Sequence, residues 1–235
     1  MRKLAIITAR GGSKRIPKKN VRSFLGKPII TYSIKAALAS NLFDTVMVST
    51  DDDEIADISI QYGAEVPFRR SALNSDDFVG TTDVILEVLN QYNSLKINFD
   101  QVCCLYPTAP LITEKDISEA YNLLQTGGFE TVFPVVAFSY PIQRCLIINQ
   151  ESKLEMLWPE NLTKRSQDLT VCYHDAGQFY WINTTSFVQN KLIFSKNSAP
   201  YILDEMKVQD IDNESDWRMA ELKYEFLYEK KNKLF

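Results

Sequence analysis

The chain is poor in the residues that build metal clusters and disulfide frameworks. It has one histidine and four cysteines, Cys103, Cys104, Cys145 and Cys172, and no two cysteines have C-x-x-C spacing. That argues against a zinc site. The cysteines read instead as buried free thiols in a reducing cytoplasm. No apolar run approaches the roughly 18 residues of a membrane span. The apolar stretch in the basic start "MRKLAIITARGG" is about five residues, short of the about 7–15 of a secretory signal. A cytoplasmic protein is expected, with no membrane partner. An excess of positive charge is also missing: 26 Lys and Arg face 30 Asp and Glu, a formal net charge of −4. General nucleic-acid binding is disfavoured, because it usually needs a basic face. Repeats and low-complexity segments are absent, and so are the two common phosphate signatures, G-x-x-x-x-G-K-[ST] and G-x-G-x-x-G.

What is present suffices for a folded globular protein. Apolar residues make up 45% and charged residues 24% of the 235 residues, enough for a sizeable core without covalent staples. Apolar strands are expected at "KLAIIT" (3–8), "TVMVST" (45–50), "AEVPF", "QVCCLYP" and "TVFPVVAF". Helical spacing lies between them. "PIITYSIKAALAS" opens on Pro28; "DEIADISIQYG" follows a cap at Asp51 or Asp52 and stops at Gly63; "TTDVILEVLNQY" puts Val84, Ile85, Val88, Leu89 and Tyr92 on one face; "TEKDISEAYNLLQTGG" has Thr113 as its cap. Adjacent Cys103 and Cys104 would face opposite sides of their strand. Strands and helices that alternate in this way, with strands apolar throughout, imply an α/β fold with a doubly wound, mostly parallel sheet. From 138 to 183 the pattern changes to antiparallel strands, "RCLIINQESKLEMLWP" with a turn at Asn149–Ser152 and "GQFYWIN", read as an excursion from the same domain. "VQDID" reads as a short strand, "ESDWRMAELKYEFLYEKK" as a terminal helix with Asp216 in its first turn, and "EKKNK" as its solvated end.

Basic character is concentrated in one loop. "IITARGGSKRIPKKN" runs from the first strand into Gly11, Gly12 and Ser13, with Arg10, Lys14, Arg15, Lys18 and Lys19 around them. Ligands of open α/β sheets bind beyond the carboxyl ends of the strands. Two glycines let the backbone approach a ligand, and their N–H groups can form an anion nest. A polyphosphate is the expected occupant; Arg15 and Lys18 read equally well as surface charge. Near the other end, Asp210 and Asp212 are two apart, so in a strand they face the same way. Two such carboxylates repel unless a hard cation such as Mg²⁺ sits between them; solvent exposure is the alternative.

"ARGGSKRIPKKN" resembles the signature of the cytidylyltransferases that activate nine-carbon acidic sugars. "GKPII", "VSTDDDEIA", "YGAEVPFRRSALNSD", "LYPTAP" and "VQDID" extend the resemblance, in order, along nearly the whole chain. "FSYPIQR", "RSQDL" and "YHDAGQFYW" are similar to the branch acting on pseudaminic acid. The resemblance implies a Rossmann-like sheet of the nucleotide-diphospho-sugar transferase type in a single cytidylyltransferase domain over 1–235. It also implies that 138–183 is a small antiparallel dimerisation and sugar-binding excursion of a homodimer. The implied reaction moves CMP from CTP to the anomeric hydroxyl of pseudaminic acid, with Mg²⁺ as cofactor and pyrophosphate as leaving group.

Roles follow from the same resemblance. Arg10 and Lys19, with Lys14 beside them, would neutralise the triphosphate. Gly11, Gly12 and Ser13 would donate to it, and Asn20 would contact the nucleotide. Arg69 would contact cytosine in a pocket completed by "SDDFVGTT", including Asp76 and Thr81; Thr81 also suits a helix cap. Asp210 and Asp212 would hold the metal and act in catalysis with Arg10 and Lys19. Tyr106 stands where relatives acting on sialic acid often have glutamine, and Ala176 where they usually have asparagine. Gln143, Arg144, Arg165, His174 and Gln178 would serve the sugar, His174 also suiting a structural role. A metal-acidified hydroxyl and an aspartate base both explain loss of the substrate proton. Three other readings remain open: the same reaction on sialic, legionaminic or 3-deoxy-octulosonic acid; a nucleotide-binding module without turnover; and a structural interaction domain that CTP does not stabilise. Losing one positioned cation near the leaving group would cost about 2–4 kcal/mol in the transition state. The aspartate assignment predicts that Asp212→Asn abolishes Mg²⁺-dependent pyrophosphate release while the fold is kept; unchanged release would remove the metal role.

Overall fold

Leu4, Ala5, Ile6 and Ile7 are all fully buried, so the first strand is covered on both faces and lies inside a sheet. A computed structural model describes residues 1–76 and 79–229. Asp77, Phe78 and the basic tail from residue 230 lie outside them. The strands are β1 (Lys3–Thr8), β2 (Ser23–Phe24), β3 (Lys27–Pro28), β4 (Thr45–Ser49), β5 (Gln101–Leu105), β6 (Thr131–Ala137), β7 (Leu146–Ile148), β8 (Leu154–Met156), β9 (Tyr173–Asp175), β10 (Phe179–Asn183) and β11 (Ser198–Ile202). The helices are α1 (Ile30–Ala39), α2 (Asp53–Gln61), α3 (Thr81–Ser94), α4 (Glu114–Gly127), α5 (Thr184–Asn190) and α6 (Glu214–Tyr224). The main sheet runs β11-β6-β10-β5-β1-β4, with β9 beside β6. β4, β1 and β5 are mutually parallel, and so are β6 and β11; β10 runs antiparallel between β5 and β6. The expected mostly parallel α/β sheet is therefore what forms.

Strand parity builds two cores. Ala5, Ile7, Cys103 and Trp181 point to the face packed by α1, α2 and α4. Leu4, Ile6, Cys104 and Tyr180 point to the other, where Ile85, Val88, Leu89 and Tyr92 of α3 meet them. A third apolar group under α6 joins Ile16, Phe24, Ile29, Ile211 and Trp217. Local signals set the helix ends. The Asp52 side chain accepts from the Ile55 N–H at 2.9 Å, and Gly63 takes the left-handed conformation with φ of 95°. Thr113 and Asp116 form a capping box, and Gly128 closes α4 at φ of 63°.

Several expectations need correction. "AEVPF" forms no strand; a single bridge links Glu65 to Met47, and Pro67, which has no N–H, cannot extend the ladder. "GQFYWIN" belongs to the main sheet rather than to an excursion, because Phe179, Tyr180, Trp181 and Ile182 are all buried, as a central strand requires. The departure from the sheet is thus confined to the residues before β9, where β7 and β8 pair around Asn149. "VQDID" is irregular, and β11 with its edge-strand Pro200 went unforeseen. Pro28 lies in β3, two residues ahead of α1. Gly80, not Thr81, is the N-cap of α3. Cys145 is exposed and Cys172 half-buried; only Cys103 and Cys104 are buried thiols. Trp181 ties the sheet to two neighbours: its ring stacks on Phe43 with centroids 5.1 Å apart, and its indole N–H donates to the Ile117 carbonyl at 2.9 Å. Trp181→Ala is expected to destabilise by about 3–5 kcal/mol in urea unfolding; a loss below about 1 kcal/mol would contradict its central place.

Candidate active site

The loop after β1 is held open from both sides. The Arg10 guanidinium donates to the Asp76 carbonyl at 2.8 Å, bridging to the segment before α3. Asn20, buried, donates from its amide to the Arg10 carbonyl at 2.9 Å, and its own carbonyl accepts from the Ile30 N–H. One residue thereby fastens both ends of the loop. Gly11 is required by a close approach: a Cβ there would lie 2.8 Å from an Asp52 carboxylate oxygen. The Gly11 N–H donates to Asp51 at 3.0 Å and the Ser13 N–H to the Gly11 carbonyl at 3.0 Å. Two of the N–H groups expected in an anion nest are therefore already engaged, the first by a carboxylate of the protein itself. Gly12 has open space around its Cβ position.

The loop's cations divide. Lys18 turns outward to Glu54. Arg15 pairs with Asp212 at 2.7 Å. The Lys19 ammonium donates to the Ile211 carbonyl at 2.7 Å and lies 3.9 Å from Asp212. Burial lowers the Lys19 pKa, against the pull of Asp212 and Asp210. Burial, and then the neighbouring Asp212, raise that of Asp210. The basic loop and the acidic segment thus meet, although Lys19 and Ile211 are 192 residues apart in sequence.

A cleft of about 410 Å³ opens beyond the carboxyl ends of β1, β4 and β5. Arg10, Ser13, Lys19, Asn20, Asp76, Thr81 and Tyr106 line it, as do Arg15, Arg70 and Asn74; Lys14 borders an adjoining hollow. Arg69 does not take part. It is half-exposed and paired with Asp53 at 2.7 Å. Its neighbour Arg70 is buried, donates to the Ser49 hydroxyl and carbonyl, and faces the cleft. Arg70 was missed, although parity held the clue: Phe68, two residues earlier, packs into the α3 core, so residue 70 turns inward and 69 outward. Thr81 meets the Tyr106 hydroxyl at 3.0 Å, and Tyr106 stands edge-on to Tyr180, whose hydroxyl donates to Asp175 at 2.5 Å. Burial raises the pKa of both tyrosines, which therefore stay neutral at neutral pH.

A second cleft, about 420 Å³, lies where the end of β6 meets β9 and the 205–210 segment. Asp210 and His174 line it together with Lys223, another residue that sequence reasoning missed. The His174 Nδ1 is 2.9 Å from the Asp175 carbonyl, which places the proton of the neutral ring on Nδ1. Four expected sugar contacts lie elsewhere. Gln178 is buried and donates to the Lys207 carbonyl at 2.6 Å. Gln143 donates to the Thr170 carbonyl, Arg144 to Ser166, and Arg165 makes two bonds to Asp168. None of the four lines either cleft. Gln143, Arg144 and Arg165 tie together the segments flanking β7 and β8, and Gln178 ties the start of β10 to the 205–208 segment.

Comparison with known proteins agrees with this geometry. A family profile described as cytidylyltransferase matches residues 4–230. The chain is 41% identical over 232 residues to a pseudaminic acid cytidylyltransferase of Campylobacter jejuni, covering 97% of this chain and 99% of the relative. It is 33% identical to a CMP-N,N'-diacetyllegionaminic acid synthase of Legionella pneumophila, covering 94% and 95%. In fold it resembles a solved CMP:2-keto-3-deoxy-manno-octonic acid synthetase complexed with CTP, with a TM-score of 0.66, 16% identity, and coverage of 94% and 98%. The arginine reassignment predicts that Arg70→Met raises half-saturation by CTP about 10–100-fold, the loss of one charged hydrogen bond, whereas Arg69→Met stays within about twofold. CTP titration followed by thermal shift reads both, and equal effects would refute the placement.

Proposed function

The chain belongs to the cytidylyltransferase family, and on that premise we propose that it transfers CMP from CTP to pseudaminic acid. The anomeric hydroxyl oxygen forms a bond to the α-phosphorus and releases its proton to solvent, the α–β bridging P–O bond breaks, and pyrophosphate leaves with the electron pair. The observation that carries this reading is the junction of the basic loop, whose Arg15 and Lys19 line the first cleft, with the 210–212 segment, whose Asp210 lines the second. Arg10, Lys14 and Lys19 provide positive potential where charge builds on the leaving group, and Ser13 and Gly12 offer donors beside them. Arg70, Asp76 and Thr81 line the nucleobase end, with Asn20 keeping the loop in register. Tyr106, neutral and hydrogen-bonded, orients the substrate and takes no proton.

The donor set at Asp210 and Asp212 suits a hard divalent cation: both ligands are carboxylates, and burial first, then the neighbouring Asp212 charge, raise the pKa of Asp210. Mg²⁺ bound there would neutralise charge on the phosphate oxygens. Among the described residues no helix is long and apolar enough to cross a membrane, and the enzyme is proposed to work in the cytoplasm as one unit over 1–235. It is proposed to be a homodimer. Leu146, Ile148, Leu154 and Leu162 are exposed together in the β7–β8 region, a surface that a second copy would cover, with Arg144 and Arg165 beside it.

Similarity to the Campylobacter protein favours pseudaminic acid; similarity to the Legionella protein keeps legionaminic acid as the second reading. Ala176 supports the first. It packs against Val136, Leu203 and Val208 and lines the second cleft, where it stands in place of the asparagine expected for sialic acid. The test offers pseudaminic, legionaminic, N-acetylneuraminic and 3-deoxy-octulosonic acids with CTP and Mg²⁺ and follows pyrophosphate. Pseudaminic acid is expected to give a kcat/KM at least about tenfold above the others. Release with none would leave a nucleotide-binding module, and preference for another acid would replace the substrate.

A further inference from the structure

A nine-carbon acid of this kind brings a carboxylate that needs a cation, and the arginines anticipated for that task lie outside both clefts. Arg165 is paired with Asp168, and Arg144 reaches Ser166. The second cleft contains a different cation. Lys223, on the last turn of α6, extends beneath the 205–210 segment and donates to the Glu205 carbonyl at 3.0 Å and the Val208 carbonyl at 2.6 Å. An ammonium has three N–H donors. Two are directed at those carbonyls, and the third has no protein partner among the described residues. The same side chain lines the cleft with Asp210, His174 and Phe138.

Resting on the reaction proposed above, we infer that Lys223 binds the carboxylate of the sugar acid. The argument is one of connectivity. In such an acid the anomeric carbon carries both the reacting hydroxyl and the carboxylate. When the hydroxyl faces the α-phosphate beside Asp210, the carboxylate must lie within the same small volume. Lys223 is the cation lining that volume. Glu205, Asp175 and Asp210 also line the cleft and would repel an anion, so a fixed ammonium in the same wall is needed for it to enter. Burial lowers the Lys223 pKa, but Glu205 and Asp204 favour the charged form. The two carbonyl bonds hold the ammonium in place before substrate arrives, so little ordering accompanies binding.

The experiment compares pseudaminic acid with its uncharged methyl ester. Wild-type enzyme is expected to prefer the acid by about 10–100-fold in kcat/KM, the scale of one charged hydrogen bond. Lys223→Gln keeps two N–H donors for the carbonyls of Glu205 and Val208 but removes the charge. It should lose most of the acid preference while keeping the CTP-induced thermal shift. Lys223→Arg should recover part of it. Lys223→Met, which removes both functions, gives the same acid-to-ester ratio as Lys223→Gln if charge is the cause. An unchanged ratio in Lys223→Gln would overturn the assignment and leave Lys223 a support for the 205–208 backbone. Wild-type enzyme that releases no pyrophosphate with any acid would instead overturn the reaction, and the assignment with it.

Discussion

Ile16 and Ile211 share one apolar cluster beneath α6, and the meeting of the basic loop with the 210–212 segment depends on it. Ile16 lies inside the basic loop, and Ile211 lies between Asp210 and Asp212. Burying both side chains brings two oppositely charged segments together and turns their polar neighbours outward. Apolar burial of two such side chains contributes about 3–6 kcal/mol. The exposed Arg15–Asp212 pair adds at most about 1 kcal/mol. Hydrophobic contact therefore assembles the site, and the ion pairs only refine it. Lys19 completes the junction by donating to the Ile211 carbonyl. That bond makes Lys19 partly a strut, which sequence reasoning had assigned wholly to the ligand.

The same anchoring explains why "VQDID" need not be a strand. Its backbone groups find partners in side chains instead of a neighbouring strand: the Val208 carbonyl accepts from Lys223, the Ile211 carbonyl from Lys19, and the Asp212 N–H donates to Asp216. Buried backbone polar groups must be paired, and three side chains here do what a ladder does elsewhere. A segment held this way can keep two aspartates close without strand parity.

Much of the fold was legible because its signals are local. Continuous apolar runs at β1, β4, β5 and β6, the cap at Thr113 and the stop at Gly63 are all written within a few residues. β10 was misjudged because "FYWI" reads alike in a hairpin and in a central strand; only the sheet reveals that β5 and β6 leave a gap for it. At the site, the loop 10–20 and the two aspartates could be found from charge and spacing. Arg70 was displaced by one position, where parity set by Phe68 outweighs motif matching. Lys223 left no local trace at all: its meaning comes from carbonyls 15 and 18 residues away, brought near by the return of α6.

The position of β10 has a bearing on synthesis. β5 and β6 are joined by one helix, yet they do not touch; each bonds to a strand that emerges from the ribosome more than forty residues after β6 ends. Until then the growing chain holds a three-stranded parallel half with one raw edge at β5 and a detached β6. Non-local pairing of this kind is slow and leaves strand edges open to wrong partners. Helper proteins that shield such edges would therefore matter most during translation of the stretch between residues 137 and 183.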